Sequence, residues 1–93
     1  MTLTDHSRIV AVKDQVSCDL GGEAAILNLA SGVYYGLDSV GARVWNLIKA
    51  PRTLRELRDT LLAEYDVDAA RLDGDLRDLL ARLADEGLIT VTT

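Results

Sequence analysis

The pattern of apolar and polar positions along the chain divides it near residue 37. Three short apolar segments come first, at residues 16–20, 23–29 and 33–37. The first of them alternates apolar and polar side chains with a period of two, which is typical of a β-strand. Gly21–Gly22 and residues 30–32 separate the segments and favour tight turns. Because turns this short join antiparallel neighbours, the pattern predicts a three-stranded meander.

After residue 37 the apolar residues recur at spacings of three and four, which predicts amphipathic helices. Asp38 or Ser39 can cap the first helix with a side-chain oxygen, and Pro51 ends it. Thr53 and Glu56 have the spacing of a capping box, with the hydroxyl at N-cap and the carboxylate at N3. They predict the start of a second helix.

A third helix is predicted from its cap at Asp68 to about Glu86, where Gly87 supplies a C-terminal residue that tolerates left-handed geometry. Its leucines fall on one stripe: Leu72, Leu76, Leu79, Leu80 and Leu83. Residues 1–14 are interpreted as an arm or lead-in strand. The first seven are read as a loose arm, residues 8–12 either pair as a short strand or pack as an extended lead-in, and residues 87–93 form an extended tail. Three strands followed by three helices predict an α+β fold in one domain spanning residues 1–93.

The net charge of −5 lies entirely in the C-terminal half. Residues 53–93 carry ten acidic and five basic side chains, whereas residues 1–52 carry five of each. The second and third helices are therefore both acidic, and an acidic helix repels phosphate. This argues against nucleic acid and anionic membrane as partners, and against a DNA-reading helix.

Residues suited to catalysis or metal binding are scarce. Cys18 is the only cysteine and His6 the only histidine, so neither a disulfide nor a two-histidine metal site can form within the chain. Cys18 lies on the apolar side of its strand and is expected to be buried. We predict no catalytic residue, no metal and no cofactor. The N-terminus lacks the apolar core of a signal peptide and no apolar run is long enough to span a membrane, which predicts a cytoplasmic protein.

The last strand of the predicted meander, at residues 33–37, lies at a sheet edge. Its outer N–H and C=O groups lack partners, and such an edge can accept an extended peptide as a fourth strand. The alternative is that the arm or the tail of the same chain covers this edge. The periodicity favours neither possibility.

From Val16 to Leu88 the sequence resembles the PqqD-like family of peptide chaperones, the recognition elements of ribosomally synthesised and post-translationally modified peptides. The segments that carry the resemblance are residues 22–29, 31–38, 40–48, 53–57, 62–67, 75–80 and 83–88. The resemblance implies a winged-helix-like domain that binds the leader segment of a precursor peptide without catalysing a reaction. The leader would add antiparallel to the third strand and lie in a groove between that strand and the third helix.

The residues that the resemblance implies for the site lie on two elements. The strand side is Val33, Tyr34, Tyr35 and Gly36, and the helix side is Leu72, Asp75, Leu76 and Leu79. Leu76 fits a contact position and a core position equally well. Tyr34 faces opposite to Tyr35 and is the best candidate for a contact, since tyrosine combines apolar area with a polar tip.

The resemblance favours modules of lasso-peptide clusters over those of pyrroloquinoline quinone synthesis. It implies two partners: the precursor's leader and a separate modifying enzyme, such as a leader peptidase, a cyclase or a radical SAM enzyme. The acidic third helix predicts a leader with basic residues near the groove. A winged-helix transcriptional regulator and a structural dimerisation module are the alternatives, and the chain is expected to be a monomer or a weak homodimer.

Overall fold

This computed structural model describes residues 2–92, which contain six strands and three helices. The strands are β1 (Arg8–Ala11), β2 (Gln15–Asp19), β3 (Ala24–Asn28), β4 (Tyr34–Leu37), β5 (Arg52–Thr53) and β6 (Ile89–Thr92). The helices are α1 (Ser39–Leu47), α2 (Leu54–Glu64) and α3 (Ala69–Asp85). Strands β2 to β4 followed by three helices confirm the predicted α+β, winged-helix-like fold.

The predicted meander is one of two antiparallel sheets, with the strand order β2-β3-β4. Val16 lies opposite Leu27, which in turn lies opposite Tyr34. The turn between β2 and β3 uses Gly21 at φ 74° and Gly22 at φ 100°. These are left-handed conformations that a side chain disfavours, so the glycine pair sets the hairpin where the sequence predicts it.

The second sheet joins three segments that are distant in the sequence, in the order β5-β1-β6. Ile9 in the central strand lies opposite Val91 on one side and Arg52 on the other. The structure therefore decides between the two interpretations of residues 8–12, because the segment pairs as a strand. It also places the C-terminal tail beside β1, so neither of these two segments pairs with β4.

The residues before β1 are packed against the helices, and the prediction of a loose arm is wrong for residues 2–7. Ser7 is fully buried, and its carbonyl accepts the N–H of Leu54 at 3.0 Å. Arg58 on α2 donates two hydrogen bonds to Asp5 (3.0 and 2.9 Å) and one to Asp73 on α3 (2.9 Å). These hydrogen bonds from Arg58 lower the pKa values of both carboxyl groups. The polar sequence of the arm thus reflects ion pairing rather than mobility.

Each helix begins at a side-chain cap that the sequence contains. Asp38, one of the two candidate caps for α1, accepts the Gly41 N–H at 2.8 Å. The capping box of α2 is confirmed in both directions: the Glu56 N–H donates to the Thr53 hydroxyl at 3.1 Å, and the Thr53 N–H donates to the Glu56 carboxylate at 2.9 Å. Asp68 caps α3 as predicted. These caps satisfy N–H groups that a helix leaves free, and so they fix where each helix starts.

The core lies between the two sheets' inner residues and the helices. Trp45 on α1 is its largest fully buried side chain. The predicted leucine stripe of α3 is buried except for Leu79, which is half-buried at the margin of the core. The fully buried apolar residues include Ile9, Ile26, Val44, Ile48, Leu54, Leu61, Leu80 and Leu83.

Strand β2 turns its apolar side to solvent, so the expectation of a buried Cys18 is wrong. The reason is the register with β3. Ile26 is fully buried, and residues directly opposite in an antiparallel pair share a face, so its partner Ser17 also points inward. Cys18 pairs with Ala25 on the outer face, where Val16 is 56% exposed.

Candidate peptide-binding site

Strand β4 is the edge of the meander, since it pairs with β3 and with no other strand of residues 2–92. The Asn28 N–H donates to the Val33 carbonyl at 3.0 Å, which places the main-chain groups of Val33 on the inner side. In an antiparallel strand the main-chain groups of successive residues point alternately to the two sides. The N–H and C=O groups of Tyr34 and Gly36 therefore point away from β3. This edge offers donors and acceptors to an added strand.

The side chains of β4 alternate between the two faces of the sheet, one of which faces the core and the other solvent. Leu37 is buried and Tyr35 is half-buried against the core, whereas Tyr34 is 72% exposed. A Cβ atom added to Gly36 would meet nothing within 4 Å. Of the four residues predicted for the strand side, Tyr34 and Gly36 thus present both their main-chain groups and their outer face to a ligand. Val33 is exposed at the start of the strand, but its N–H faces the Ser31 hydroxyl at 3.3 Å.

A groove of about 660 Å³ lies between α1, α3 and the segment that precedes α3, and Asp38, the residue that follows β4, is one of its lining residues. All four residues predicted for the helix side line this groove: Leu72, Asp75, Leu76 and Leu79. The four residues predicted for the strand side do not line it. Asp38 connects the two halves of the predicted site, because it directly follows β4 and also lines the groove.

The floor of the groove is apolar. Leu76 is 3% exposed and Leu72 7% exposed, and both belong to the core while also lining the groove. Leu76 is therefore a core residue by burial, and its buried side chain also forms part of the groove wall. Leu79 is half-buried and more accessible to a ligand.

The rim of the groove is acidic. Five aspartates line it, against two arginines: Asp38, Asp66, Asp68, Asp75 and Asp78, with Arg71 and Arg82. Two of the carboxylates accept hydrogen bonds from helix N–H groups as caps. A third pairs with an arginine at 3.9 Å, in a contact where both side chains are largely exposed. The excess of negative charge favours a ligand that carries positive charge at this end.

Helix α1 forms one wall of the groove through Val40, Gly41 and Val44, none of which was predicted as a site residue from the sequence. Gly41 is buried, and a Cβ at this position would lie 3.1 Å from a methyl group of Leu37. The glycine thus allows the first turn of α1 to pack closely against the end of β4. A glycine within the first turn of an otherwise apolar helix was the available signal for this close approach.

Asn28 holds the meander against the end of α3. Its side-chain amide donates to the Glu86 carbonyl at 2.7 Å, and its side-chain oxygen accepts the Ala30 N–H at 2.9 Å. The amide is buried, so both bonds are made away from bulk solvent. They fix the turn before β4 relative to the helix that lines the groove. The sequence signal for such a contact is an asparagine among the apolar residues of a predicted strand, since a polar side chain that becomes buried there needs hydrogen-bond partners.

A family model described as "Coenzyme PQQ synthesis protein D (PqqD)" matches residues 23–89. The chain belongs to the PqqD family. The matched segment includes β3, β4, all three helices and each of the eight predicted site residues. The predicted membership of the PqqD-like family is therefore confirmed.

Two solved structures resemble this PqqD-family chain over most of its length. The first, TbiB1 in complex with the TbiA(beta) leader peptide, has 38% sequence identity and a TM-score of 0.80 over 86% of this chain and 93% of that one. The second, lasso peptide synthetase B1 complexed with the leader peptide, has 17% identity and a TM-score of 0.76 over 88% and 96% of the two chains, and so shows the fold alone. No curated protein shows significant sequence similarity to the chain.

The remaining observations concern other kinds of site. Residues 2–92 contain no group of three or more histidine, cysteine or acidic side chains placed to hold a metal ion. Within the same residues, no helix is long and apolar enough to cross a membrane. His6 is exposed on the segment that precedes β1. The site residues predicted from the sequence thus lie at the acidic groove and at the edge of β4 in this PqqD-family chain.

Proposed function

We propose that the chain is a non-catalytic module that binds the leader segment of a ribosomally synthesised precursor peptide and delivers it to a modifying enzyme. The observation that carries the proposal is the pair of outward-facing peptide groups at Tyr34 and Gly36, next to a groove with an apolar floor. Strand addition obtains affinity from main-chain hydrogen bonds and specificity from side-chain pockets. The edge of β4 offers the main-chain hydrogen-bonding groups, and the groove offers the side-chain pocket.

The leader adds antiparallel to β4 in this proposal. Tyr34 and Gly36 exchange main-chain hydrogen bonds with it, whereas the main-chain groups of Val33 and Tyr35 are directed toward β3. The side chains of Tyr34 and Leu79 supply apolar contact area, and Leu72 and Leu76 form the floor on which a leader side chain rests. Asp75 contributes to the charge of the rim.

The TbiB1 structure supports this proposal, since it is 38% identical to this chain and is a complex with a leader peptide. The lasso peptide synthetase B1 structure shares the fold, and we favour the lasso-peptide type of module over the pyrroloquinoline quinone type. The modifying enzyme in this proposal is a leader peptidase, a cyclase or a radical SAM enzyme. Its identity, the cytoplasmic location and the state of the chain as a monomer or weak homodimer remain predictions.

Such a module acts by raising the concentration of the precursor at its enzyme, which is an effect of tethering rather than of bond-making. Main-chain pairing with two or three filled pockets is expected to give a Kd between about 1 μM and some tens of nanomolar, which corresponds to roughly −8 to −10 kcal/mol. No group of the chain needs to take part in chemistry for this role.

A titration of fluorescently labelled TbiA(beta) leader peptide with the purified protein tests the proposal. We expect saturable binding by fluorescence anisotropy, with a peptide of the same composition in scrambled order binding at least about tenfold more weakly. Equal binding of the two peptides, or none of either, would contradict the proposal. Hydrogen exchange of the complex gives a second readout, because strand addition should protect the Tyr34 and Gly36 amides.

The two alternatives make different predictions. A winged-helix regulator requires basic side chains aimed at phosphate, but α3 is acidic along the groove, and nothing in the structure favours DNA binding. A dimerisation module would use the same free edge of β4 to pair with a second copy. Sedimentation velocity of the free protein distinguishes this alternative, since a stable dimer would leave no free edge for the leader.

A further inference from the structure

The groove carries more negative charge than is needed to bind an apolar peptide. Its floor is leucine and valine, but five of its lining residues are aspartates and only two are arginines. Asp66 and Asp78 have no hydrogen-bond or ion-pair partner among residues 2–92, whereas the Asp75 carboxylate lies 3.9 Å from Arg71. Asp66 and Asp78 are both exposed at the rim. They are available to a cation that arrives with the peptide.

The direction of β4 determines which part of a leader meets this charge. The strand runs from Tyr34 toward Leu37, and the next residue, Asp38, lines the groove, so the groove lies next to the C-terminal end of β4. A leader that pairs antiparallel runs the opposite way, so its residue opposite Leu37 precedes its residue opposite Tyr34. The part of the leader beyond Leu37, at the groove, is therefore N-terminal to the paired segment.

We propose that the groove selects leaders in which a lysine or arginine lies N-terminal to the segment that pairs with β4, with an apolar side chain beside it. The apolar side chain rests on Leu72 and Leu76, and the cation lies at the rim near Asp66 and Asp78. This inference rests on the proposed leader binding and adds both a charge requirement and a polarity. A leader docked in the parallel direction would place its C-terminal part at the groove instead.

Two scans of the TbiA(beta) leader peptide test the inference. In the first, each residue in turn is N-methylated, and the positions where binding is lost define the paired segment. In the second, each residue is replaced once by lysine and once by glutamate, and the ratio of the two Kd values measures the preference for positive charge at that position. We expect the preference to be roughly threefold or more at positions just N-terminal to the paired segment, and smaller elsewhere.

Matched protein variants identify the groups that respond. In the double variant Asp66→Asn/Asp78→Asn, the ratio of the two Kd values that measures the preference for lysine should fall toward one. In Asp85→Asn it should persist, because Asp85 lies on the same helix and outside the groove. The preference should also fall between about 50 mM and 500 mM salt, as the Debye length shortens.

The possible failures are distinguishable. If the unmodified peptide binds but lysine is preferred equally along its whole length, or more strongly C-terminal to the paired segment, the inference is overturned while the proposed leader binding stands. If Asp85→Asn lowers the preference as much as the double variant does, the preference reflects the net charge of the chain and the assignment to the groove is wrong. If neither the unmodified peptide nor any variant binds, the proposed function itself is overturned.

Discussion

The two three-stranded sheets of this molecule are built in opposite ways. The meander β2-β3-β4 comes from one continuous stretch and ends in an edge strand with free main-chain groups. The sheet β5-β1-β6 brings together segments from the beginning, middle and end of the described chain, and its central strand has a partner on each side. The local sheet thus leaves main-chain groups of β4 without a partner strand among residues 2–92, and the non-local sheet ties the described ends of the chain together.

The difference shows how the free edge of β4 is kept accessible. A free edge tends to pair with any extended segment nearby, including segments of the same chain. Here β1 and β6 pair with each other, and Arg58 and Arg77 hold the residues before β1 against α2 and α3. The segments that could have covered β4 are therefore occupied elsewhere.

The largest effect is expected from the centre of the non-local sheet. Ile9→Ala removes a fully buried side chain and should lower the free energy of unfolding by about 2–5 kcal/mol, through lost burial and a cavity. Val16→Ala on the outer face of the meander should cost less than about 1 kcal/mol, because that side chain is already half in solvent. Urea denaturation of both variants measures the contrast. Equal losses would mean that the outer face of the meander is not free in solution.

The next effect concerns leader binding at the edge of β4. Gly36→Pro removes an outward N–H and should weaken the binding of the TbiA(beta) leader peptide by roughly tenfold or more. An edge strand tolerates proline where the N–H faces solvent, so the fold should persist. Gly36→Ala is the matched control, since a Cβ there meets nothing within 4 Å and the N–H is kept.

A second control is placed at Val33, the residue just before β4. Val33→Pro removes an N–H that faces Ser31 rather than the edge, so it should affect binding less than Gly36→Pro. Anisotropy titration gives the affinities, and thermal melting confirms the fold of each variant. If Val33→Pro were the more damaging change, the assigned register of the leader would be wrong.

A smaller effect is expected from the ion pairs that hold the N-terminal arm. Arg58 lowers the pKa values of Asp5 and Asp73, so their contribution to stability is complete above the unfolded pKa of about 3.9 and is lost as the pH falls through the lower folded values. Arg58→Ala should reduce stability at pH 7 by less than Ile9→Ala does, and should make the loss of stability below pH 4 shallower. Urea denaturation at several pH values measures both.

The control for Arg58 is Arg55→Ala on the same helix. The Arg55–Asp59 pair has a distance of 3.7 Å with both side chains largely exposed, so its loss should change stability by no more than about 0.5 kcal/mol. An acid profile of Arg58→Ala that matches the wild type would contradict the role assigned to the arm contacts.

The smallest effect is expected at Cys18. Because the thiol is exposed, it should react fully with Ellman's reagent in the native state, and Cys18→Ala should change the free energy of unfolding by less than about 0.5 kcal/mol. The measurement compares the labelling rate with and without urea. A thiol that reacts only after unfolding would show that the outer face of β2 is covered in solution.

Local signals predicted most of the fold. The Gly21–Gly22 turn sets the first hairpin, and the capping box of Thr53 and Glu56 sets the start of α2; both depend on contacts within a few residues. The sheet β5-β1-β6 has no such signal, because its strands are joined by no hairpin. Whether residues 8–12 pair could not be predicted, since the partner strand lies about eighty residues away in the chain.

The candidate site was predictable only where it depends on local signals. The edge position of β4 followed from the meander, and the resemblance to the PqqD-like family added four residues of α3 that do line one groove. The wall formed by α1 was missed, since the close approach of Gly41 to Leu37 depends on how the helix packs against the strand. Cys18 was assigned to the wrong environment because alternation separates two faces of a strand without showing which one the core covers.

The sequence by itself determined the meander, the three helices and their caps, the absence of a basic helix face and the acidic character of α3. These properties depend on residue type and on spacing along a few turns. Only the tertiary structure decided that both described ends of the chain pair with each other, that the apolar side of β2 faces solvent, and that Tyr34 and Gly36 direct their main-chain groups outward beside the groove. Each of these depends on the register and packing of segments distant in the chain, which burial of a shared core selects and which no local pattern encodes.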